Sequence, residues 1–157
     1  MLSEIEDKLE EMGLSLPGTP VPVANYVSAL VIGDLVYLSG HIPRHADGSF
    51  VTGKLGEDYS VEQGYEVARR VALTLISSLK AVSGDLDNIK RIIRVTCMVN
   101  AIPTFTQHSA VANGISDLLV ALWGESGMHT RVAVGMGSLP GGVPVEIEMI
   151  VELFHRQ

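Results

Sequence analysis

Two side chains in the last third of the sequence have the types and settings needed for chemistry. Glu146 stands within the otherwise apolar run Val143 to Val151. A carboxyl drawn into a partly dry interface binds its proton more tightly, and it can then hold or position a proton near neutral pH. Arg131 opens the preceding strand-like run beside His129 and Thr130, where its rigid fork can clamp a carboxylate through two hydrogen bonds. Each residue has a plainer reading. Glu146, Glu148 and Glu152 can be the solvent side of an edge strand, and Arg131 can be an ordinary surface arginine or the ion-pair partner of Glu146. Convergence of the two side chains on one cleft would favour the chemical reading.

The stretch Ser39-Gly40-His41-Ile42-Pro43 leaves a strand through a glycine whose bare backbone can approach a ligand closely. His41 there is either a proton shuttle or a loop histidine with its hydrogen bonds satisfied, and His129 carries the same two readings. The sole cysteine, Cys97, falls in the apolar run Ile92 to Val99 and reads as a buried, inert thiol. No CxxC, His-x-x-x-His or Glu/His spacing suited to a metal occurs, so no metal is expected. Gly135, Gly137, Gly141 and Gly142 lie within strands and a hairpin rather than between a strand and a helix. That placement rules out a phosphate cradle of the GxGxxG or GxxxxGK type, and no cofactor is expected.

These residues must be positioned by one ordinary domain: 157 residues with 46% hydrophobic content can bury a substantial core. Eleven Lys and Arg against 18 Asp and Glu give a net charge of -7, which supplies no basic field, so no nucleic-acid partner is expected. No run of about 18 apolar residues exists to cross a membrane. The acidic N-terminus lacks the apolar stretch of a secretion signal, and one unpaired cysteine suits a reducing compartment, so a cytoplasmic location is expected.

Residues 4–12 place Ile5, Leu9 and Met12 at helical spacing, and Gly13 offers a stop. Three prolines over residues 14–24 then predict an extended crossing. Residues 26–32 and 35–39 read as antiparallel strands around a tight Gly33-Asp34 hairpin, and residues 41–59 as a long surface loop. Val61, Tyr65, Ala68, Ala72, Leu75, Leu79 and Val82 form one helix face, ended by Gly84. A strand follows over 89–99. Pro103 marks a second helix, whose stripe of Val111, Ile115, Leu118 and Leu122 stops at Gly124. The strand over 131–137 alternates through Val132, Val134 and Met136. The last strand puts Val143, Val145, Ile147, Met149 and Val151 on one face and Glu146 and Glu148 on the other. The order predicts an α+β layer, a mixed sheet with two long helices on one face. Two helices cannot hide both faces, so the second is expected to be buried in an oligomer.

Four segments resemble the RidA family, also called the YjgF/YER057c/UK114 or L-PSP endoribonuclease family, and in particular its longer branch. They are Tyr26 to Gly40 with the following Ile42-Pro43, the run from Asp87 to Val99, Val111-Ala112-Asn113-Gly114, and His129-Thr130-Arg131 through Leu139-Pro140 to Ile150. The resemblance divides the chain into an N-terminal helix and extended segment over 1–20 and a single RidA-like domain over 21–157. It implies a chorismate-mutase-like protomer assembled as a homotrimeric barrel with clefts between neighbours. It also implies hydrolysis of reactive enamines and imines, such as 2-aminoacrylate, to 2-oxo acids and ammonia. By position, Arg131 would bind the substrate carboxylate and Glu146 would hold water or transfer the proton. Tyr26, Gly40, His41 and Asn113 would line the pocket. Arg131 and Glu146, from facing strands, would meet in an intersubunit pocket too small for a polynucleotide, and their separation on different faces would count against that site. The chain departs from the family pattern at His41, Val132, Gly135, Gly137 and Ser138, which alters the pocket wall. The same cleft in a non-catalytic trimer would hold a metabolite carboxylate or a protein, while an endoribonuclease would need a basic groove.

Overall fold

A computed structural model describes residues 3–22 and 24–155. The elements run α1 (Glu4–Glu11), β1 (Ala29–Ile32), β2 (Leu35–His41), α2 (Val61–Ser83), β3 (Ile89–Asn100), α3 (His108–Trp123), β4 (Thr130–Met136) and β5 (Val145–Leu153). The strands form one mixed sheet in the order β1-β2-β5-β3-β4. β3 and β4 are parallel and joined through α3, while β5 returns antiparallel between β2 and β3. The fold is the expected α+β layer, with α2 and α3 packed on each other and on one face of the sheet.

Strand alternation decides what that face contains. Val145, Ile147, Met149, Val151 and Leu153 of β5 are buried, and Ile92, Val95, Cys97 and Val99 of β3 join them under the helices. The other face carries Tyr37, Ile150, Glu146 and Glu148 in the central strands and Val132, Val134 and Met136 on β4. β4 therefore turns its apolar stripe away from the helices and leaves Arg131, Ala133 and Gly135 facing them.

Local sequence explains the ends of the elements. Ser60 and Gln63 form a reciprocal capping box at the start of α2, and Gly84 in the left-handed region (φ 78°) ends it. α1 carries its own box from Ser3 and Glu6, and Asp87 also accepts from the backbone N–H groups of Glu4 and Ile5 at 2.8 and 3.2 Å. Ile5 and Leu9 enter the main core. Gly114 is a packing requirement: a Cβ there would come within 2.0 Å of the Tyr65 carbonyl oxygen, so only glycine lets α3 approach α2 this closely.

Three boundaries differ from the sequence expectation. The first strand begins at Ala29 rather than Tyr26, because the backbone bends over residues 24–26 and the pairing to β2 ends with Ser39 N–H on the Ser28 carbonyl. β2 runs on to His41 through a bulge, with Ser39 and Gly40 together opposite Glu148 of β5. α3 starts at His108 rather than at Pro103, which opens a turn closed by Phe105 N–H on the Ile102 carbonyl at 3.0 Å.

Candidate functional site

The expected site residues fall into two groups, and each group is assembled by different elements. The first surrounds Glu146. The bulge in β2 brings Gly40 against the Glu146 side chain, and a Cβ on Gly40 would stand 2.2 Å from Glu146 Oε1. Glycine thus creates the space that the carboxyl occupies. Tyr26, released from the sheet by the bend before β1, lines the same cleft of about 560 Å³, together with Ser39, Gly40, Phe50 and Glu146. The prolines at 17, 20 and 22 form another wall. That arm is tied to α2 by Ser77 Oγ, which donates to the Pro17 carbonyl at 2.7 Å. Glu146 is half-buried, and loss of water pushes its pKa up, with the nearby Glu148 charge adding to the effect.

His41 belongs to the lining of this cleft, but its ring is committed elsewhere. It is 5% exposed. Nδ1 lies 2.7 Å from the Ser39 carbonyl oxygen and Nε2 lies 2.7 Å from Ser78 Oγ on α2. A carbonyl only accepts, so Nδ1 carries the proton and Nε2 of the neutral ring accepts from Ser78. Burial lowers the His41 pKa and keeps that ring neutral. The ring acts as a strut between β2 and α2, and its two nitrogens are not free to shuttle a proton.

The second group surrounds Arg131, on the helix side of the sheet. Arg131 Nη1 donates to Asn113 Oδ1 at 2.8 Å and to Ser116 Oγ at 3.1 Å, both on α3. The i, i+3 spacing of Asn113 and Ser116 puts them on one helix face. Among the described residues Nη2 and Nε make no hydrogen bond, so that edge of the guanidinium is open to a carboxylate. Ser116 Oγ also lies 2.9 Å from His129 Nε2, and His129 Nδ1 lies 2.6 Å from the Gly127 carbonyl oxygen. The sequence reading did not single out Ser116, although its position one helical turn from Asn113 was the available signal.

Arg131 and Glu146 do not meet within one chain. Arg131 pairs with Val95, and Glu146 pairs with Met98, three positions further along β3. An odd separation on a regular strand places the two side chains on opposite faces. Cys97 lies fully buried between these rows, and burial pushes its thiol up to about 12 against the opposing pull of Arg131, so it is inert. Val132 points to the outer face, whereas Gly135 lies under His108, where a Cβ would meet Nε2 at 2.6 Å. Among the described residues no group of three or more His, Cys, Asp or Glu is placed to hold a metal ion. None of the described helices is long and apolar enough to cross a membrane.

This fold and these two clusters define a class. Residues 6–154 match the family described as "YjgF/chorismate_mutase-like, putative endoribonuclease", and the chain belongs to that RidA/YjgF family. The protein TCP17 of Trypanosoma cruzi is 42% identical over 146 residues, covering 92% of this chain and 91% of that protein. The crystal structure of Atu1372 from Agrobacterium tumefaciens, a protein of unknown function, is 39% identical with a TM-score of 0.86, covering 96% of this chain and 94% of its own. A "putative endoribonuclease" from Shewanella oneidensis superposes with a TM-score of 0.90 at 31% identity, covering 95% and 99%.

Proposed function

We propose that the protein is an enamine/imine deaminase, converting 2-aminoacrylate-like intermediates to 2-oxo acids and ammonia at sites between protomers of a homotrimer. The observation that carries this reading is the guanidinium of Arg131, held through Nη1 alone with its remaining edge open. It is matched on the other sheet face by a half-buried carboxyl of raised proton affinity. One chain cannot bring the two together, and a second copy laid against the uncovered sheet face supplies the missing half. Leu30, Ile32 and Tyr37, exposed by 52, 59 and 43%, make that face a candidate for burial in such an assembly.

In the reaction, Arg131 of one protomer holds the substrate carboxylate. The enamine tautomerises to the imine as its nitrogen gives up one proton to water and its terminal carbon gains one. Glu146 of the neighbour takes a proton from water as the oxygen attacks the imine carbon and returns it to the nitrogen. The hydroxyl proton of the resulting carbinolamine then passes to the nitrogen as the C–N bond breaks, which releases ammonia and leaves the 2-oxo acid. One water is consumed and no redox change occurs. Tyr26 and the backbone at Gly40 form the wall against which the carbon chain lies. A cytoplasmic setting suits a chain with one unpaired, buried cysteine.

The endoribonuclease activity in the family's name fits less well, because a net charge of -7 and a carboxylate in the cleft oppose a phosphate backbone. The test is release of ammonia and 2-oxo acid from 2-aminoacrylate, and from a bulkier imine made in situ by an amino-acid oxidase. Acceleration by the wild type that falls about 100-fold in Arg131→Ala supports the reading. Absence of acceleration by the folded wild type on either substrate moves the assignment to a non-catalytic carboxylate-binding trimer.

A further inference from the structure

Arg131 is a long side chain that loses rotamer freedom when fixed, and one of its two partners, Asn113, is itself exposed and so a weak clamp. Its second partner, Ser116, has a hydroxyl that rotates freely unless something takes its proton. His129 does so. Its Nδ1 faces the Gly127 carbonyl oxygen at 2.6 Å, which only accepts, so Nδ1 carries the ring proton. The ring is more than half buried, and desolvation lowers its pKa and keeps it neutral. Nε2 is then an acceptor, the Ser116 hydroxyl donates to it at 2.9 Å, and the serine lone pairs are left to Arg131.

The far end of this chain of bonds is anchored in backbone. A Cβ at Gly127 would stand 2.2 Å from the Leu119 carbonyl oxygen, so glycine alone lets the turn at Gly124–Gly127 press against α3. That close approach sets the Gly127 carbonyl beneath His129. Helix α3, the turn after it and the start of β4 are thereby linked around the guanidinium.

We propose that His129 and Ser116 are positioning residues for Arg131, forming a relay from the Gly127 carbonyl that fixes the guanidinium with its open edge toward the substrate carboxylate. This rests on the reading of Arg131 as the carboxylate clamp. Neither residue touches the reacting atoms, so the relay acts on binding in the ground and transition states alike. Its loss should raise KM and leave kcat nearly unchanged.

The test combines steady-state kinetics on 2-aminoacrylate with calorimetric binding of pyruvate. His129→Ala should raise KM and the pyruvate Kd about three- to tenfold, the scale of one net hydrogen bond, with kcat within about twofold. His129→Gln, which restores an acceptor for Ser116, should recover most of the loss. In a Ser116→Ala background His129→Ala should add nothing further, because the link is already cut. Ring nitrogen NMR should report the Nδ1-protonated neutral tautomer in the wild type. If Arg131→Ala weakens pyruvate binding but His129→Ala does not, the relay is overturned and the clamp stands. A full His129→Ala effect that persists without Ser116 also overturns it, because His129 would then act through the fold. If Arg131→Ala itself leaves pyruvate binding unchanged, the clamp reading fails and the relay fails with it.

Discussion

Arg131 and Glu146 occupy opposite faces of the same sheet, three register positions apart along β3 and on its two flanking strands. Each is supported by a separate set of neighbours: α3 and His129 for the arginine, the β2 bulge and Tyr26 for the carboxyl. A reaction that needs both groups must therefore join two chains.

Gly40→Ala should abolish most of the activity without unfolding the protein. The new methyl would occupy the place of Glu146 Oε1, and the carboxyl is the flexible end of a half-buried side chain that can swing away. Displacement of a catalytic group by an ångström or more costs about 100-fold. Parallel measurement of kcat/KM and of the urea midpoint separates the two effects: the first should collapse and the second should stay near wild type.

Glu148→Gln should move the acid limb of the pH–rate profile to lower pH. Glu146 binds its proton tightly mainly because it is desolvated and secondly because Glu148 repels its charge, and the substitution removes only the second cause. A Glu146 pKa raised in the folded state favours folding while the carboxyl is protonated, and that advantage is lost as pH rises through the folded pKa. Glu146→Gln should consequently raise Tm at neutral pH while removing catalysis, a trade of activity for stability. Thermal melts and pH–rate profiles of the two variants check both statements.

Stability should fall as the protein is acidified below about pH 6.5, the ordinary histidine range. His41 and His129 are both held neutral by burial, so their folded pKa values lie below the unfolded ones. Their contribution is complete above the unfolded pKa and disappears as pH drops through the folded one. Urea midpoints measured across this range should fall less steeply in His41→Gln, whose amide cannot become charged.

Much of this architecture was legible in the sequence. The helix-period stripe from Val61 to Val82, the Gly33-Asp34 hairpin and the strict alternation of β5 each arise from local spacing, and the structure contains all three. The four segments of family resemblance also picked out Arg131, Glu146, Tyr26, Gly40 and Asn113, which the fold gathers into two clusters. The faces were harder to read. The stripe of Val132, Val134 and Met136 looks like a core-facing set, yet pairing with β3 turns it outward, because register between distant strands is not written in the period of either one. His41 looked available until the fold placed Ser78 against its ring. Tyr26 lies before the strand because the strand begins at Ala29, three residues later than β-propensity suggests.

The most direct test is complementation between two inactive variants. Arg131→Ala and Glu146→Gln, each purified alone, should lack activity. Unfolded together in equal amounts and refolded, they should recover about one quarter of wild-type activity, because random assembly pairs an intact Arg131 with a neighbour's intact Glu146 at about one cleft in four. Native mass spectrometry on the same sample would show the mixed trimers. Mixed trimers with no recovered activity would contradict a site shared between chains.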